Sequence, residues 1–328
     1  MSNELVSVCV PTRNRPELLK LLIESVLSQT HDELEVVITD NSDDLRTEEL
    51  VRDHFSDGRI RYIRNPTNLG MNGNAAACLS RARGSYVTFT PDDDYWLTVS
   101  KLESQVSLMK DGHLDVAFSE ALHFRTLSEL PSSVEWDRAF GPTPRISEVA
   151  PRDFVPPPRR GRPFLSILTA LVARRNVDGL IRSWQFGSEE RFMWSLARPD
   201  ARSVLDERPL VAIRDGEHNW EIVTERGLIN YRHDNEVRIS NLIKMLEDMS
   251  GSSETEYPWL KTASSGLWRH SCALSFRSAW KHRLDFPELS RADRVRGAAL
   301  SAFIDFPRRR VGELKRRLRG GTDAAAPR

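Results

Sequence analysis

Two hydrophobic patterns alternate along the first part of the chain. Short apolar runs rich in β-branched residues predict strands, and apolar residues spaced three and four positions apart predict helices. The predicted strands are residues 6–10, 34–40, 59–65, 85–90 and 114–124. The predicted helices are residues 16–29, 46–55, 72–83 and 99–110. Strands alternating with helices indicate βαβ units, and therefore an α/β fold with a mostly parallel central sheet flanked by helices.

The pattern weakens after residue 125. Residues 126–163 are rich in Pro, Gly and Arg, and we expect a long loop with little regular structure there. Apolar runs return at 164–176 and, with strand-like character, at 203–215. The stretch "SEERFMWSLA" (188–197) predicts a helix with an acidic first turn. From residue 226 onward the pattern is mostly helical, which predicts a C-terminal extension over 226–320 before a disordered tail at 321–328.

Polar residues follow three of the predicted strands. "PTRNR" (11–15) follows the first, Asp40 ends the second, and Asp92, Asp93 and Asp94 follow the strand at 85–90. Ligands of such sheets bind at the carboxyl ends of the strands, so we expect these side chains to share one edge. Three adjacent carboxylates repel one another unless something positive lies nearby, and hard oxygen ligands suit Mg²⁺ or Mn²⁺. The pattern favours a divalent-cation site, with a polar turn as the alternative.

Charge is balanced overall but unevenly distributed. The 328 residues contain 47 basic and 47 acidic side chains. Residues 261–328 contain 16 basic and 6 acidic residues, a net of +10, so residues 1–260 carry −10. The basic segment 303–321 has a thin apolar stripe that suits an anionic membrane surface, a solvated helix or a protein contact. Nucleic-acid binding is not expected, because no aromatic platform accompanies the charge.

The three cysteines are odd in number and widely spaced: Cys9, Cys78 and Cys272. They show no metal-type spacing, which favours reduced core thiols and a cytoplasmic protein. The N-terminus lacks the pattern of a signal peptide, and no apolar run approaches the ~18 residues of a membrane-spanning helix. We therefore expect a cytoplasmic location, with peripheral contact at the inner face of the membrane through the basic segment.

The order of four motifs resembles the family 2 glycosyltransferases with the GT-A fold. The motifs are "VSVCVPTRNR", "VVITDNS", "NLGMNGNAAACLSRARGSYVTFTPDDD" and "SEERFMW". The resemblance is close over residues 5–125 and looser over 164–220, and it extends to spore-coat polysaccharide and other bacterial cell-envelope or antibiotic-pathway glycosyltransferases. It implies transfer of a sugar from a nucleoside-diphosphate sugar, UDP- or dTDP-linked, with inversion and with Mg²⁺ or Mn²⁺. The implied acceptor is a hydroxyl or amine of a glycan, a lipid-linked molecule or a small molecule.

The resemblance also divides the chain and assigns donor binding. Residues 1–125 match the nucleotide-sugar-binding half of a GT-A domain, and residues 126–225 match the acceptor-binding half. The residues assigned to the donor nucleotide are Pro11, Thr12, Arg13, Arg15, Asp40, Asn68, Gly70, Asn74 and Asp92. Asp40 would accept a hydrogen bond from the ring N–H of uracil or thymine, and Arg15 would reach the diphosphate. Ordinary turn capping and loop-to-helix punctuation are the alternatives.

The three aspartates correspond to the family's Asp-x-Asp metal motif. Aligned without gaps, Asp93 is the direct metal ligand, Asp94 is a second candidate, and Asp92 faces the ribose or the donor sugar. His218, after the strand-like run at 203–215, matches a family histidine that contacts the metal or diphosphate. Many members have aspartate at the position of Pro91, so the assignment among the three aspartates stays open.

The family supplies its catalytic base as a carboxylate at the start of a helix in the second half. Glu189 and Glu190 occupy that place after Ser188. Adjacent helical residues point about 100° apart, so only one of the two can face the acceptor, and the sequence leaves the choice open. The structural alternative is that both favour the helix dipole.

Two other classes of protein share some of these features. A nucleotidylyltransferase of similar fold would carry a Gly-rich loop with Lys or Arg after the first strand, which "PTRNRP" is not. A sugar-nucleotide- or glycan-binding protein without catalysis would not need both the aspartate triplet and the paired glutamates. A glycosyltransferase is therefore the favoured interpretation.

Overall fold

The computed structural model describes residues 4–154, 165–185, 192–193, 196 and 200–214. The chain divides into two compact units, 1–154 with 160–225 and 155–159 with 226–328, and all the described residues belong to the first. Predictions that concern residues 188–191, His218, Cys272 and the C-terminal extension therefore lie outside the described residues. Within the described part, no helix has the length and apolarity that crossing a membrane requires.

One mixed sheet organises the described residues. Its strands are β1 (Val6–Thr12), β2 (Leu34–Asp40), β3 (Ile60–Arg64), β4 (Tyr86–Phe89), β5 (Tyr95–Trp96), β6 (Val116–Phe124), β7 (Ile146–Val149), β8 (Leu171–Ala173) and β9 (Ser203–Arg214). The helices are α1 (Pro16–Leu27), α2 (Arg46–His54), α3 (Gly70–Leu79), α4 (Lys101–Gly112), α5 (Ser133–Phe140) and α6 (Val177–Gln185). All the elements predicted between residues 6 and 124 are present, most of them within two residues of their predicted ends.

The strand order is β3-β2-β1-β4-β8-β6-β9-β5, with β7 paired to β9. Strands β1 to β4 pair in parallel. Strand β8 is antiparallel to both β4 and β6, and β9 is parallel to β6. It follows that β6 and β9 run in the same direction as the first four strands, so that six strands end at one edge, here called the carboxyl edge. This confirms the predicted α/β fold with a mostly parallel sheet.

Strand β1 is buried on both faces, as expected for a central parallel strand. Val6, Val8 and Val10 belong to the same hydrophobic cluster as the buried side chains of α1 and α4. The alternate residue Cys9 points the other way, and its thiol donates to the Cys78 carbonyl of α3 at 3.8 Å. Helices thus cover both faces of the sheet, and the two thiols are free and buried, as predicted.

The predicted loop at 126–163 contains regular structure, so that prediction was wrong in part. Helix α5 begins with a capping box formed by Ser132 and Glu135, and strand β7 pairs antiparallel with β9. Trp136 is buried, and its indole N–H donates to the Pro209 carbonyl at 2.7 Å. A long-range contact to β9 holds this helix in a segment whose composition favours loops.

Candidate active site at the carboxyl edge of the sheet

The ends of β1 and β4 are joined by direct hydrogen bonds. These strands are neighbours in the sheet, so the turn after β4 lies beside the loop after β1. Thr12 Oγ1 donates to Asp92 Oδ2 at 2.7 Å, and the backbone N–H of Arg13 donates to the same oxygen at 3.3 Å. The first predicted donor loop and the aspartate triplet therefore form one structure, as the sequence motifs imply.

Arg15 supplies part of the positive charge that three adjacent carboxylates require. Its Nη1 donates to Asp92 Oδ1 at 3.2 Å and to Asp93 Oδ2 at 2.8 Å. Arg15 was predicted to reach a diphosphate, and in this structure it is paired with the carboxylates. About a third of its side chain is exposed, so a ligand can approach the guanidinium.

Asp94 has no such partner. The residue is buried, and its Oδ1 accepts a hydrogen bond from the backbone N–H of Arg214 at 3.3 Å. Its Oδ2 is buried without a hydrogen-bond partner within the described structure. Burial, reinforced by the charge of Asp93, raises the pKa of Asp94 well above its usual range. Buried polar atoms in native structures almost always have partners, so this oxygen indicates a missing cation, water or ligand.

Asp92 is also buried, with a different balance of forces. Burial raises the pKa of Asp92 to about 6, while the charge of Arg15 and the hydrogen bond from Thr12 oppose that rise. Asp92 is thus held by protein donors at both oxygens, whereas Asp94 keeps one oxygen free. The gap-free alignment favours Asp93 as the metal ligand, but the geometry favours Asp94.

The aspartates suit a divalent cation whose remaining ligands come from a substrate. Within the described residues, no group of three or more His, Cys, Asp or Glu side chains is arranged to hold a metal ion by itself. Mg²⁺ is commonly held by one or two carboxylates together with substrate phosphates, so a complete protein cage is not required. Asp94, with its unpartnered oxygen, and the neighbouring Asp93 are the residues that would hold such an ion.

Asp40 ends β2 in a closed environment. The residue is fully buried, its Oδ1 accepts from the backbone N–H of Ser42 at 2.7 Å, and its Oδ2 accepts from the Tyr62 hydroxyl at 2.6 Å. Burial and this hydrogen bond raise the pKa of Tyr62, which keeps the hydroxyl neutral and donating. Each carboxylate oxygen can accept a second hydrogen bond. Because Asp40 is fully buried, however, a nucleobase can reach these acceptor positions only if a neighbouring side chain moves.

Asn74 connects the loops of this edge through its buried side chain, and its role as a nucleotide contact stays a prediction. Its side chain is buried, and Nδ2 donates to the carbonyls of Thr12 at 3.2 Å and Thr39 at 3.1 Å. Its Oδ1 accepts from Asn65 Nδ2 at 2.8 Å, and Asn65 also donates to Asn41 Oδ1 at 2.9 Å. Asn41 and Asn65, which the sequence analysis missed, follow β2 and β3 directly, and that position was the available signal.

The remaining predicted donor residues shape the loops of the carboxyl edge. Asn68 Oδ1 accepts from the Gly70 N–H at 2.9 Å, and Gly70 has a φ of +70°, which favours glycine. Helix α3 begins at this glycine, two residues earlier than predicted. Arg13 is exposed and pairs with Asp43 at 3.1 Å, while Pro11 lies half-buried in β1 opposite Thr39.

A match to a known protein family covers the residues that form this edge of the sheet. Residues 7–136 match the family model described as Glycosyl transferase family 2. Over these residues the chain matches a family 2 glycosyltransferase domain, which confirms the family that the sequence motifs resemble. The matched range includes the donor loops, the aspartate triplet and all of β6.

One curated relative is the UDP-Glc:alpha-D-GlcNAc-diphosphoundecaprenol beta-1,3-glucosyltransferase WfaP of Escherichia coli. It is 32% identical over 116 residues, which are 35% of this chain and 45% of the relative. The chain spans less than half the length of the curated relatives it matches.

Two solved structures share the fold. Residues 1–349 of S. aureus TarS, in complex with UDP, match at a TM-score of 0.51 and 17% identity, covering 94% of this chain and 91% of that one. The mannosyltransferase PcManGT from Pyrobaculum calidifontis, in complex with GDP-Man and Mn²⁺, matches at a TM-score of 0.51 and 14% identity, covering 93% and 82%. At these identities the likeness concerns the fold, and it confirms the predicted GT-A type.

Proposed function

We propose that this chain is an inverting, metal-assisted glycosyltransferase that uses a nucleoside-diphosphate sugar. The observation that carries the proposal is the buried, unpartnered oxygen of Asp94 beside the Arg15–Asp92–Asp93 cluster. This arrangement lies at the carboxyl edge of a family 2 glycosyltransferase domain. The edge therefore combines a demand for positive charge with loops that suit a nucleotide.

The donor is proposed to be UDP-linked, with a dTDP-sugar as the close alternative. The relative WfaP is named for UDP-Glc, and the TarS structure contains UDP. Uracil and thymine share a ring N–H that would donate a hydrogen bond to Asp40 once the Tyr62 side chain moves away. Arg15 is partly exposed and would bind the diphosphate as it releases its carboxylate partners.

Charge separation is the chemical problem that the site must solve. In the reaction, an acceptor oxygen or nitrogen bonds to the anomeric carbon, the bond from that carbon to the diphosphate oxygen breaks, and a base takes the acceptor's proton. Mg²⁺ or Mn²⁺ at Asp94 and Asp93 would neutralise charge on the leaving diphosphate. The base is proposed to be Glu189 or Glu190, which lie outside the described residues.

The acceptor and the place of action are part of the proposal. WfaP is named for a diphosphoundecaprenol-linked acceptor, which favours a lipid-linked acceptor for this chain too. Action at the inner face of the membrane, with contact through the basic segment 303–321, would bring the enzyme to such an acceptor.

Thermal shift against UDP-, dTDP- and GDP-sugars, with Mn²⁺ or with EDTA, tests the donor and the metal together. A ligand at 100 times its dissociation constant stabilises the fold by about 2.7 kcal/mol. We expect a shift with UDP-sugars that EDTA abolishes in the wild type, and little shift in Asp94→Asn. Asp44→Asn, which changes an exposed aspartate in the loop before α2, serves as the control and should behave as wild type. The absence of any shift with every nucleotide sugar would contradict the proposal.

A further inference from the structure

A cavity of about 240 Å³ opens at the carboxyl edge beside the aspartates. The apolar side chains that line it are Leu18, Leu21, Tyr95, Phe124 and Leu127. The charged residues that line it are Asp93, Asp94, Arg125 and Arg214. The cavity is therefore amphipathic, with carboxylates and guanidinium groups around an apolar wall.

The two arginines come from the ends of two adjacent strands. Phe124 and Arg214 are register partners at the ends of the parallel strands β6 and β9. Arg125 follows Phe124 directly, and both arginines line the cavity. Two guanidinium groups that line one cavity favour an anionic ligand.

Neither guanidinium forms a hydrogen bond or an ion pair in the part of the chain that the structure describes. Arg125 meets Glu129 through its backbone N–H at 3.1 Å, and Arg214 meets Asp94 through its backbone N–H at 3.3 Å. By contrast, Arg13 and Arg15 at the same edge pair with acidic side chains. Arg125 and Arg214 thus keep their side-chain hydrogen-bond donors for a ligand, although Arg125 also acts on Glu129, whose pKa is lowered by the backbone N–H of Arg125 and by its charge.

The position of the cavity separates it from the proposed nucleobase site. In the sheet order, β1, β2 and β3 lie on one side of β4, and β6 and β9 lie on the other. Asp40 belongs to the first side, Arg125 and Arg214 belong to the second, and the aspartates stand between them. A donor that extends from Asp40 to Asp94 leaves the arginine side for the second substrate.

We propose that this cavity is an acceptor subsite for an amphiphile that carries a phosphate or diphosphate next to an apolar chain. Arg125 and Arg214 bind the phosphate oxygens, because the guanidinium group matches phosphate geometry. In the proposed reaction the cation and the donor diphosphate occupy the Asp93–Asp94 end, which leaves the arginine end for the phosphate of the acceptor. The cavity of about 240 Å³ is smaller than the ~300–1000 Å³ that is usual for a pocket holding a whole ligand. It therefore covers only the first part of the apolar chain, through Leu21 and Leu127. The inference rests on the proposed function, because it names the acceptor class of that reaction.

Calorimetry of farnesyl diphosphate binding to the full chain, without donor, tests the inference. Farnesol and inorganic pyrophosphate are the probes that lack one half of the ligand. We expect farnesyl diphosphate to bind at least about tenfold more tightly than either, since charge-assisted hydrogen bonds and apolar burial both contribute. Arg125→Gln and Arg214→Gln should each weaken its binding by about tenfold or more.

Matched variants control for surface changes. Arg138→Gln alters an exposed arginine of α5 that does not line the cavity, and it should bind farnesyl diphosphate as wild type does. Leu127→Ser alters an exposed cavity residue and should weaken binding several-fold, by loss of apolar contact. Val134→Ser, at an exposed position outside the cavity lining, should not weaken it.

Several outcomes overturn the inference. Equal affinity for pyrophosphate or for farnesol means that the cavity does not require the amphiphile. Displacement of farnesyl diphosphate by UDP assigns the arginines to the donor diphosphate, and unchanged binding in Arg125→Gln removes that residue from the site. UDP binding in Mn²⁺ is measured separately on the wild type. If UDP binds and farnesyl diphosphate does not, this inference fails alone. If the wild type does not bind UDP in Mn²⁺, the proposed function is contradicted.

Discussion

Thr12 Oγ1 donates a 2.7 Å hydrogen bond to Asp92 Oδ2, across 80 positions of the sequence. Both residues are buried. The bond connects the end of β1 with the turn after β4, and it holds the aspartate triplet against the loop that contains Arg13 and Arg15. The geometry of the candidate active site therefore depends on a hydroxyl that the sequence motif placed in a nucleotide pocket.

Thr12→Val should destabilise the protein by about 1–3 kcal/mol, because it leaves a buried carboxylate with one fewer donor. The pKa of Asp92 should rise further, since Thr12 is one of the groups that lower it. Denaturant unfolding at neutral pH measures the stability change. Thr12→Ser keeps the hydroxyl and should retain most of the stability. A loss of stability in Thr12→Ser with none in Thr12→Val would show that the methyl packing matters and the hydrogen bond does not.

Asp94→Asn should reduce Mn²⁺-dependent UDP binding more than Asp93→Asn, because Asp94 has the unpartnered oxygen and Asp93 is paired with Arg15. The metal-free stability of Asp94→Asn should equal or exceed that of wild type, since a buried carboxylate with a raised pKa disfavours the folded state when ionised. Calorimetry with and without EDTA, together with unfolding, measures both effects. A larger loss in Asp93→Asn would restore the gap-free alignment.

Lys101 is fully buried at the start of α4. Its Nζ donates to Gln105 Oε1 at 2.8 Å and lies 4.4 Å from the centroid of the Trp96 ring. Burial lowers the pKa of Lys101 from its ordinary value of 10.5 to about 7. Between these two values the unfolded state binds more protons than the folded state, so the free energy of unfolding rises with pH across that range.

Lys101→Met should therefore be more stable than wild type at pH 7 and below, because the wild type must bury a charged lysine there and the variant does not. Its advantage should shrink as the pH rises towards 10.5. Urea unfolding of both proteins between pH 6 and about 10 measures the difference. Lys20→Met, at a partly exposed lysine of α1, is the control and should show no such trend. A constant difference between wild type and Lys101→Met would mean that Lys101 does not titrate in this range.

Glu189→Gln and Glu190→Gln test the proposed base. One of them should lower turnover by roughly 10²–10⁴-fold while binding UDP nearly as wild type does, because the base faces the acceptor. The other should stay within a few-fold, since one first-turn charge stabilises a helix by only about 0.3–1 kcal/mol. Initial rates and UDP affinity of both variants are the measurements. Retained turnover in both would place the proton acceptor elsewhere.

The hydrophobic pattern by itself determined the alternation of strands and helices between residues 6 and 124. Those elements are local and strongly periodic, so the burial that forms them is visible in the sequence. The same alternation placed 11–15, Asp40 and the aspartates at one edge, because parallel strands share their carboxyl ends. The family motifs in these loops were enough to predict the class of protein.

Only the tertiary structure decided which polar groups were already occupied. The side-chain amide of Asn74 proved to be occupied, because it donates to the carbonyls of Thr12 and Thr39. No spacing in the sequence indicates these contacts. The pairing of Arg15 with Asp92 and Asp93, which leaves Asp94 unpartnered, depends on side chains that are distant along the chain. Long-range contacts satisfy hydrogen bonds and charges individually, whereas a sequence pattern records only which residues are apolar and how often they recur.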